Sequence, residues 1–185
     1  LGGSRGERLE RDASIRLNVC ALAAACVGCG GGAFGGPARK CEFGAEALEY
    51  APPVESRLGD VELRRRFPIE LISSKNDDSM NSTFGHRGGV DEQTSLLHLH
   101  ASDAAPRGIQ TGDRVRIFND RGSLTLRAEV NGGVRPGVAR APSVRWNKRA
   151  ADRRNVNVLT ADGLTDIGGG PVFYSCLVEV ERRGD

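Results

Sequence analysis

Three stretches of this chain combine hydroxyl, amide and glycine residues at a density suited to holding a ligand. The first runs Ser73-Ser74-Lys75-Asn76-Asp77-Asp78-Ser79-Met80-Asn81-Ser82-Thr83-Phe84-Gly85. Its clustered donors and acceptors, with free backbone N–H groups, suit a diphosphate or the edge of a heterocycle. The second is Trp146-Asn147, followed by Arg153-Arg154-Asn155-Val156-Asn157-Val158-Leu159-Thr160. Asparagines at alternating positions offer the paired donors and acceptors that recognition of a purine or pterin edge requires. The third is Asp166-Ile167-Gly168-Gly169-Gly170-Pro171-Val172-Phe173-Tyr174. Its three glycines permit close backbone approach to a ligand. An asparagine- or glycine-rich loop is most often a plain turn, so no one stretch decides anything alone.

Other chemistry is less well provided for. Cys26 and Cys29 have the two-residue spacing of metal sites, with Cys20 and Cys41 flanking them. The successive gaps of five, two and eleven residues do not reproduce a zinc or iron–sulfur framework, so no metal ligands are assigned. The odd total of 5 cysteines gives no disulfide framework and favours a reducing, cytoplasmic compartment. Cys176 reads as a core thiol. His98 and His100 would share a strand face, with His86 elsewhere, but a solvated or partly packed pair is the simpler reading. No Ser–His–Asp or Cys–His arrangement suggests a catalytic residue.

The elements that must position these stretches are short strands. Pro68–Ser73 reads as the first, with proline tolerated at its start. Ser95–His100 alternates Leu97 and Leu99 with histidines, and Asp113–Phe118 alternates Val115 and Ile117 with arginines. Asn119-Asp120-Arg121-Gly122 is a turn into the returning strand Ser123–Val130. Val134–Gly137 is a further turn before Val138–Ala141, and Cys176–Glu181 is the last strand. Between strands, Ser102 is placed to cap a short helix over Asp103–Arg107, with Gly108 at its exit. The polar, glycine-rich segment from Arg145 to Val172 is long for a structureless loop, and such loops are usually functional.

Upstream, the charged stretch Arg5–Arg16 precedes a small-residue run, Val19–Cys29. Glu7, Glu10 and Asp12 spoil a signal-peptide reading, so a short alanine-rich helix fraying into a glycine linker is expected. Residues 1–35 are left unassigned and read as poorly ordered. Residues 36–66 read as a connector with a helical patch at 45–48 and a charged approach at Glu62–Arg66. Residues 67–182 read as the barrel domain.

Composition limits the possibilities. The 185 residues are 38% hydrophobic and 27% charged, enough for one core. Glycine supplies 25 of them, which disfavours a long helical bundle. No apolar run approaches the roughly 18–20 residues of a membrane span. The net charge of +2 points to no polyanionic partner, although arginine outnumbers lysine 23 to 3. The only methionine is Met80 and the sequence opens on Leu1, which reads as a missing start.

Taken in order, the motifs form a recognisable series. Asn81-Ser82-Thr83-Phe84 is followed by Asp103-Ala104-Ala105, Arg107-Gly108-Ile109 and Gly112-Asp113. Then come Val115 through Gly122, Val134-Arg135-Pro136-Gly137-Val138, Asn155 through Thr160, and Leu164-Thr165-Asp166. Over residues 67–182 this series resembles the C-terminal molybdopterin-dinucleotide-binding domain of dimethyl-sulfoxide-reductase-type molybdenum oxidoreductases. Lys40-Cys41-Glu42-Phe43 is similar to the segment that precedes that domain.

The resemblance implies a mainly β fold with short helices, a six-stranded double-psi β-barrel of the aspartate-decarboxylase-like kind. It implies a molybdenum bis(molybdopterin guanine dinucleotide) cofactor, one dinucleotide of which this domain contacts, with the metal ligand coming from another domain. Asn81, Ser82 and Thr83 would meet phosphates or pterin; Trp146, Asn155, Asn157 and Thr160 would complete the cofactor-binding set. Asp103 and Asp113 would be fold residues. Lys75-Asn76-Asp77-Asp78 stands where many relatives carry an aromatic or histidine-rich stretch. Tyr174 stands where many carry a basic or imidazole group, so it receives no proton role.

The expected function is therefore that of a cofactor-binding fragment of a molybdenum oxidoreductase, not catalytic by itself. Its expected partners are the remaining domains of the parent enzyme and the dinucleotide, with no membrane, and with nucleic acid disfavoured. The alternative is a small stand-alone β-barrel that binds protein or nucleic acid through its arginine-rich surface.

Overall fold

The computed structural model describes residues 50–76, 79–81, 83–143, 145–165 and 169–184. The N-terminal helix and cysteines 20, 26, 29 and 41, the patch at 45–48, Ser82, and Asp166–Gly168 lie outside the described residues.

Six strands form a closed barrel: β1 (Ile69–Ile72), β2 (Leu96–Leu99), β3 (Arg114–Asn119), β4 (Gly122–Val130), β5 (Val138–Arg140) and β6 (Leu177–Arg182). Around the ring the order is β1-β5-β2-β4-β3-β6. Two neighbouring pairs are parallel, β1 with β5 and β2 with β4, and the others antiparallel. This is the double-psi β-barrel that the motif order implies.

Alternation decides which side chains fill it. Leu97 and Leu99 of β2, Val115 and Ile117 of β3, and Leu124, Leu126 and Ala128 of β4 point inward and are buried. Ile69, Leu71, Ala139, Val178 and Val180 complete the same cluster. Each fully buried aliphatic side chain contributes about 1.5–3 kcal/mol relative to exposure.

Helices are few and short. Val61–Arg66 forms α1, where the sequence alone suggests only a charged approach. No residue of α1 is buried, so no apolar periodicity announces it. Its ends hold it: Asp60 Oδ1 accepts from Leu63 N at 2.8 Å, a side-chain cap on an orphaned donor. Glu62 sits in the first turn and three arginines fill the last, both signs favourable to the helix dipole. Val90–Gln93 is α2 and Ala101–Ala104 is α3.

The cap of α3 is His100, not Ser102: His100 Nδ1 accepts from Ser102 N at 3.1 Å. The helix therefore starts at Ala101 rather than Asp103, because a neutral imidazole nitrogen at the strand's end can do what a hydroxyl does. A 3₁₀ turn over Ala105–Arg107 follows, and Gly108 ends it in the left-handed region. Asp103 Oδ2 accepts from Gly137 N at 2.8 Å, tying this corner to the turn before β5. Gly137 also adopts a positive φ there, a conformation that glycine takes without steric cost.

The β3–β4 turn is anchored from outside. Asn119 Nδ2 donates to the carbonyls of Leu159 and Leu177. Arg121 grips both oxygens of Glu55, at 2.6 and 2.7 Å, and its Nε donates to Leu159 O. Glu55 Oε2 in turn accepts from Leu177 N at 3.1 Å. Cys176 lies just before β6, buried, and its thiol donates to Leu159 O at 3.2 Å. Burial pushes this thiol up to about 11, so it is the core thiol the sequence suggests.

His98 faces outward between Arg140 of β5 and Glu129 of β4, and its Nδ1 lies 3.3 Å from Asn131 Nδ2. Partial burial, helped by the charge of Arg140 and opposed by that of Glu129, lowers its pKa from 6.5. The unfolded chain therefore takes up this proton before the folded one, and stability falls as pH drops below about 6.5. His98→Gln should flatten the loss of melting temperature between about pH 7 and pH 5; equal slopes in the two proteins would refute the assignment.

The core gives a second test. Leu97→Ala should cost about 2–5 kcal/mol in urea unfolding, because it empties a site in the barrel interior. Leu58→Ala, at an exposed position, should stay within about ±0.5 kcal/mol of the parent chain. Equal losses from both would contradict the packing described.

Candidate functional site

The parallel pairing of β1 and β5 sets the position of the site. Parallel neighbours end at the same side of a sheet, so the chain leaving β1 and the chain leaving β5 depart together. Their pairing continues past the strands: Ala141 N donates to Ile72 O at 3.0 Å and Ser143 N to Ser74 O at 2.8 Å. Arg140 Nε adds a bond to Ser74 Oγ at 2.7 Å. The connections over 73–95 and 141–176 thus open side by side, and a cavity of about 430 Å³ lies between them.

All three polar stretches contribute to this cavity. The first supplies Ser73, Lys75 and Asn81. The second supplies Trp146, Asn155 and Asn157, with Ser143 and Arg145 just before it, and the third supplies Phe173 and Tyr174. Two cations, several amides and three aromatic rings therefore converge, a donor set that fits a phosphate-bearing heterocycle. The ring centroids of Phe173 and Tyr174 are 4.4 Å apart. Tyr174 is 54% exposed, leaving aromatic surface open to solvent beside the cavity.

The expected site residues divide by role. Asn81 lines the cavity from a tight turn in which Met80 and Thr83 exchange backbone hydrogen bonds, at 3.0 and 3.1 Å. Its φ of 53° is left-handed, which asparagine tolerates better than most residues. Thr83 closes that turn through its backbone and does not line the cavity. Trp146, Asn155 and Asn157 do line it, but the two asparagines are not equivalent. Asn155 Oδ1 accepts from Asn157 N at 3.0 Å and its Nδ2 donates to Arg145 O at 3.3 Å, so its amide builds the loop. Asn157 is exposed at the cavity lining. Thr160 stands off the cavity, its Oγ1 donating to Asn157 O at 3.2 Å.

Lys75 and Arg145 are lining residues that the motifs do not single out. Arg145 adjoins Trp146-Asn147, and a cation beside an aromatic–amide pair is the signal that could mark it. Its Nη1 is buried and meets no hydrogen-bond partner among the described residues, an orphaned donor of a charged group. Among the described residues no group of three or more His, Cys, Asp or Glu could hold a metal, and no helix is long and apolar enough to cross a membrane.

One glycine is required by close approach. A Cβ on Gly85 would lie 2.4 Å from Trp146 Nε1, so the 79–89 segment reaches the indole only because position 85 has no side chain. Lys148 Nζ covers the same ring at 4.7 Å, and the Arg87 guanidinium lies 4.1 Å over the Phe84 ring, both cation–π contacts. Phe84 itself has a φ of 68°. Gly85→Ala should displace Trp146, the only tryptophan, and move its fluorescence maximum to longer wavelength. Gly88→Ala, which meets nothing within 4 Å, should leave the spectrum unchanged; a shift of equal size in both would remove the contact from the account.

Comparison with known proteins identifies the family. The family model of the molydopterin dinucleotide binding domain covers residues 69–177. The chain is 36% identical over 117 residues to the probable oxidoreductase YoaE of Bacillus subtilis, covering 62% of this chain and 17% of that protein. It is 31% identical over 141 residues to dimethyl sulfoxide reductase DmsA of Escherichia coli, covering 72% and 17%. It is 34% identical over 135 residues to biotin sulfoxide reductase of Cereibacter sphaeroides, covering 70% and 18%. The chain thus spans about a sixth of the length of these relatives. Acetylene hydratase from Pelobacter acetylenicus shares the fold, with a TM-score of 0.62 at 20% identity over 73% of this chain and 21% of that one. With more than half its length matched, the chain belongs to the molydopterin dinucleotide binding domain family, the cofactor-binding domain of dimethyl-sulfoxide-reductase-type molybdenum oxidoreductases.

Proposed function

We propose that this chain is the part of a larger molybdenum oxidoreductase that holds one dinucleotide of a molybdenum bis(molybdopterin guanine dinucleotide) cofactor. The observation that carries the reading is the convergence of Lys75, Arg145, Asn81, Asn157 and three aromatic rings on one cavity. These residues fit the group chemically. The cations suit a diphosphate. The amides and rings suit the edge and face of a heterocycle.

In this reading Lys75 and Arg145 hold phosphate oxygens, Asn81 and Asn157 meet polar edges, and Trp146 offers a packing face. Asn155 positions Asn157 and Arg145 without being spent on the ligand. The backbone-locked Thr83 fixes the turn that carries Asn81. When bound, the cofactor supplies a molybdenum centre able to transfer oxygen atoms or electrons. The parent enzyme acts on formate, nitrate or a sulfoxide-like substrate, its remaining domains supply the metal ligand, and it works in the cytoplasm. Residues 36–66 join the barrel to those domains. The chain alone turns nothing over.

Equilibrium binding of molybdopterin guanine dinucleotide tests the assignment. Asn157→Ala should weaken binding about fivefold, the value of a single hydrogen bond of about 1 kcal/mol. Lys75→Met should weaken it by about tenfold and reduce its salt dependence. Equal affinity in the parent chain and both variants would sink the site.

A further inference from the structure

A second cleft, of about 300 Å³, opens on the outer wall of the barrel beneath the 145–152 segment. Arg114 at the start of β3 and Thr125 and Arg127 on the outward face of β4 form its floor, and Arg145 and Asp152 form its roof. Two observations there are unexplained by the fold.

Arg114 and Arg127 are directly opposite each other in the β3–β4 register. Like charges in that position destabilise a strand pair. The Arg114 side chain makes no ion pair among the described residues, and Arg127 has only a long contact of 3.4 Å with the largely exposed Glu92. The second observation is at Arg145, which borders this cleft as well as the first cavity and whose buried Nη1 meets no hydrogen-bond partner among the described residues.

The charges around the cleft do not cancel. Arg183 Nη1 donates to Thr125 Oγ1 at 3.1 Å, bringing a fourth guanidinium to the rim. Against these stand Glu92 and Asp152. Both Asp152 oxygens are occupied by backbone donors, Thr125 N at 2.8 Å and Arg154 N at 3.2 Å, so it serves as a brace for the roof. Among the described residues, four guanidiniums facing two carboxylates leave a surplus matched by a dianion.

We propose that this cleft is a binding site for a phosphate group, separate from the dinucleotide cavity. A tetrahedral oxyanion has enough acceptors to serve Arg114, Arg127 and Arg145 at once, and guanidinium forks suit its geometry. Its binding would remove the cross-strand repulsion and satisfy the orphaned donor in one step. The inference shares Arg145 with the cofactor reading, but Arg114 and Arg127, which the test alters, take no part in the first cavity.

Isothermal titration of the full chain with inorganic phosphate and with guanosine 5′-monophosphate, at ionic strength fixed with sodium chloride, provides the test. Both ligands should bind, and Arg114→Gln/Arg127→Gln should weaken each by about tenfold or more. Tighter binding of the nucleotide identifies a phosphate ester as the occupant, and equal binding identifies free phosphate. Asn157→Ala should leave the affinity for inorganic phosphate unchanged. Without phosphate, the double variant should melt no lower than the parent chain, because the substitution removes a repulsion; this readout also verifies folding. Unaltered binding by the double variant, or heats no larger than those of chloride, would overturn the proposal. So would loss of inorganic phosphate binding in Asn157→Ala, which would assign the anion to the first cavity.

Discussion

The parallel hydrogen bonding of β1 to β5 is the constraint from which the functional architecture follows. An antiparallel neighbour could be reached by a two-residue turn, as β4 is from β3, but a parallel one requires a long crossover. Closing a barrel with two such pairs obliges the chain to carry long excursions, and the register Glu70 to Val138 starts two of them at one end. The cavity is the space between these excursions. Its position is thus a consequence of backbone pairing, while its chemistry is free to vary with the loop residues.

That separation of duties shows in how the side chains are used. Inward positions of the strands are almost all aliphatic, while half-buried polar residues at the barrel's ends serve as tethers: Asn119 on two carbonyls, Asp103 on Gly137 N. In the loops, some side chains hold others in place. Asn155 fixes the backbone that carries Asn157, and the absence of a side chain at Gly85 lets one loop lie against the indole of the other. The left-handed conformations of Asn81 and Phe84 belong to the same region. Such conformations cost of order 1–3 kcal/mol and are held only when the surroundings fix them.

Much of this is legible in the sequence, and the gaps have physical causes. The β3–β4 hairpin is plain because Val115, Ile117, Leu124 and Leu126 alternate on either side of a turn. Strand β2 is plain for the same reason. Barrel closure and the parallel pairs are not readable from any local pattern, since pairing partners are set by tertiary contacts; they come with the resemblance carried by the motif order. Helix α1 is hidden because it buries nothing and rests on its caps. His100 is hard to foresee as a cap because serine is the commoner choice. At the site, composition finds the stretches, but it cannot tell Asn157, which faces the cavity, from Asn155, which builds the wall. Nor can it set Thr83 and Thr160 aside. Lys75 and Arg145 stay hidden because a lone cation on a loop has no periodicity to betray its direction.

The grip of Arg121 on Glu55 has a mechanical consequence. Glu55 lies only five residues beyond the first described residue, yet its carboxylate is bonded at once to the β3–β4 turn and to the first amide of β6. Tension on the chain arriving at Tyr50 is therefore taken up by the β3–β4 turn and β6 before it reaches Ile69. Two residues beyond Glu55, Arg57 bonds Glu70 of β1 through its backbone N–H and its guanidinium. The load thus falls on three neighbouring strands together, and displacement of the upstream polypeptide would tilt the barrel as a body and leave the spacing across its cavity intact.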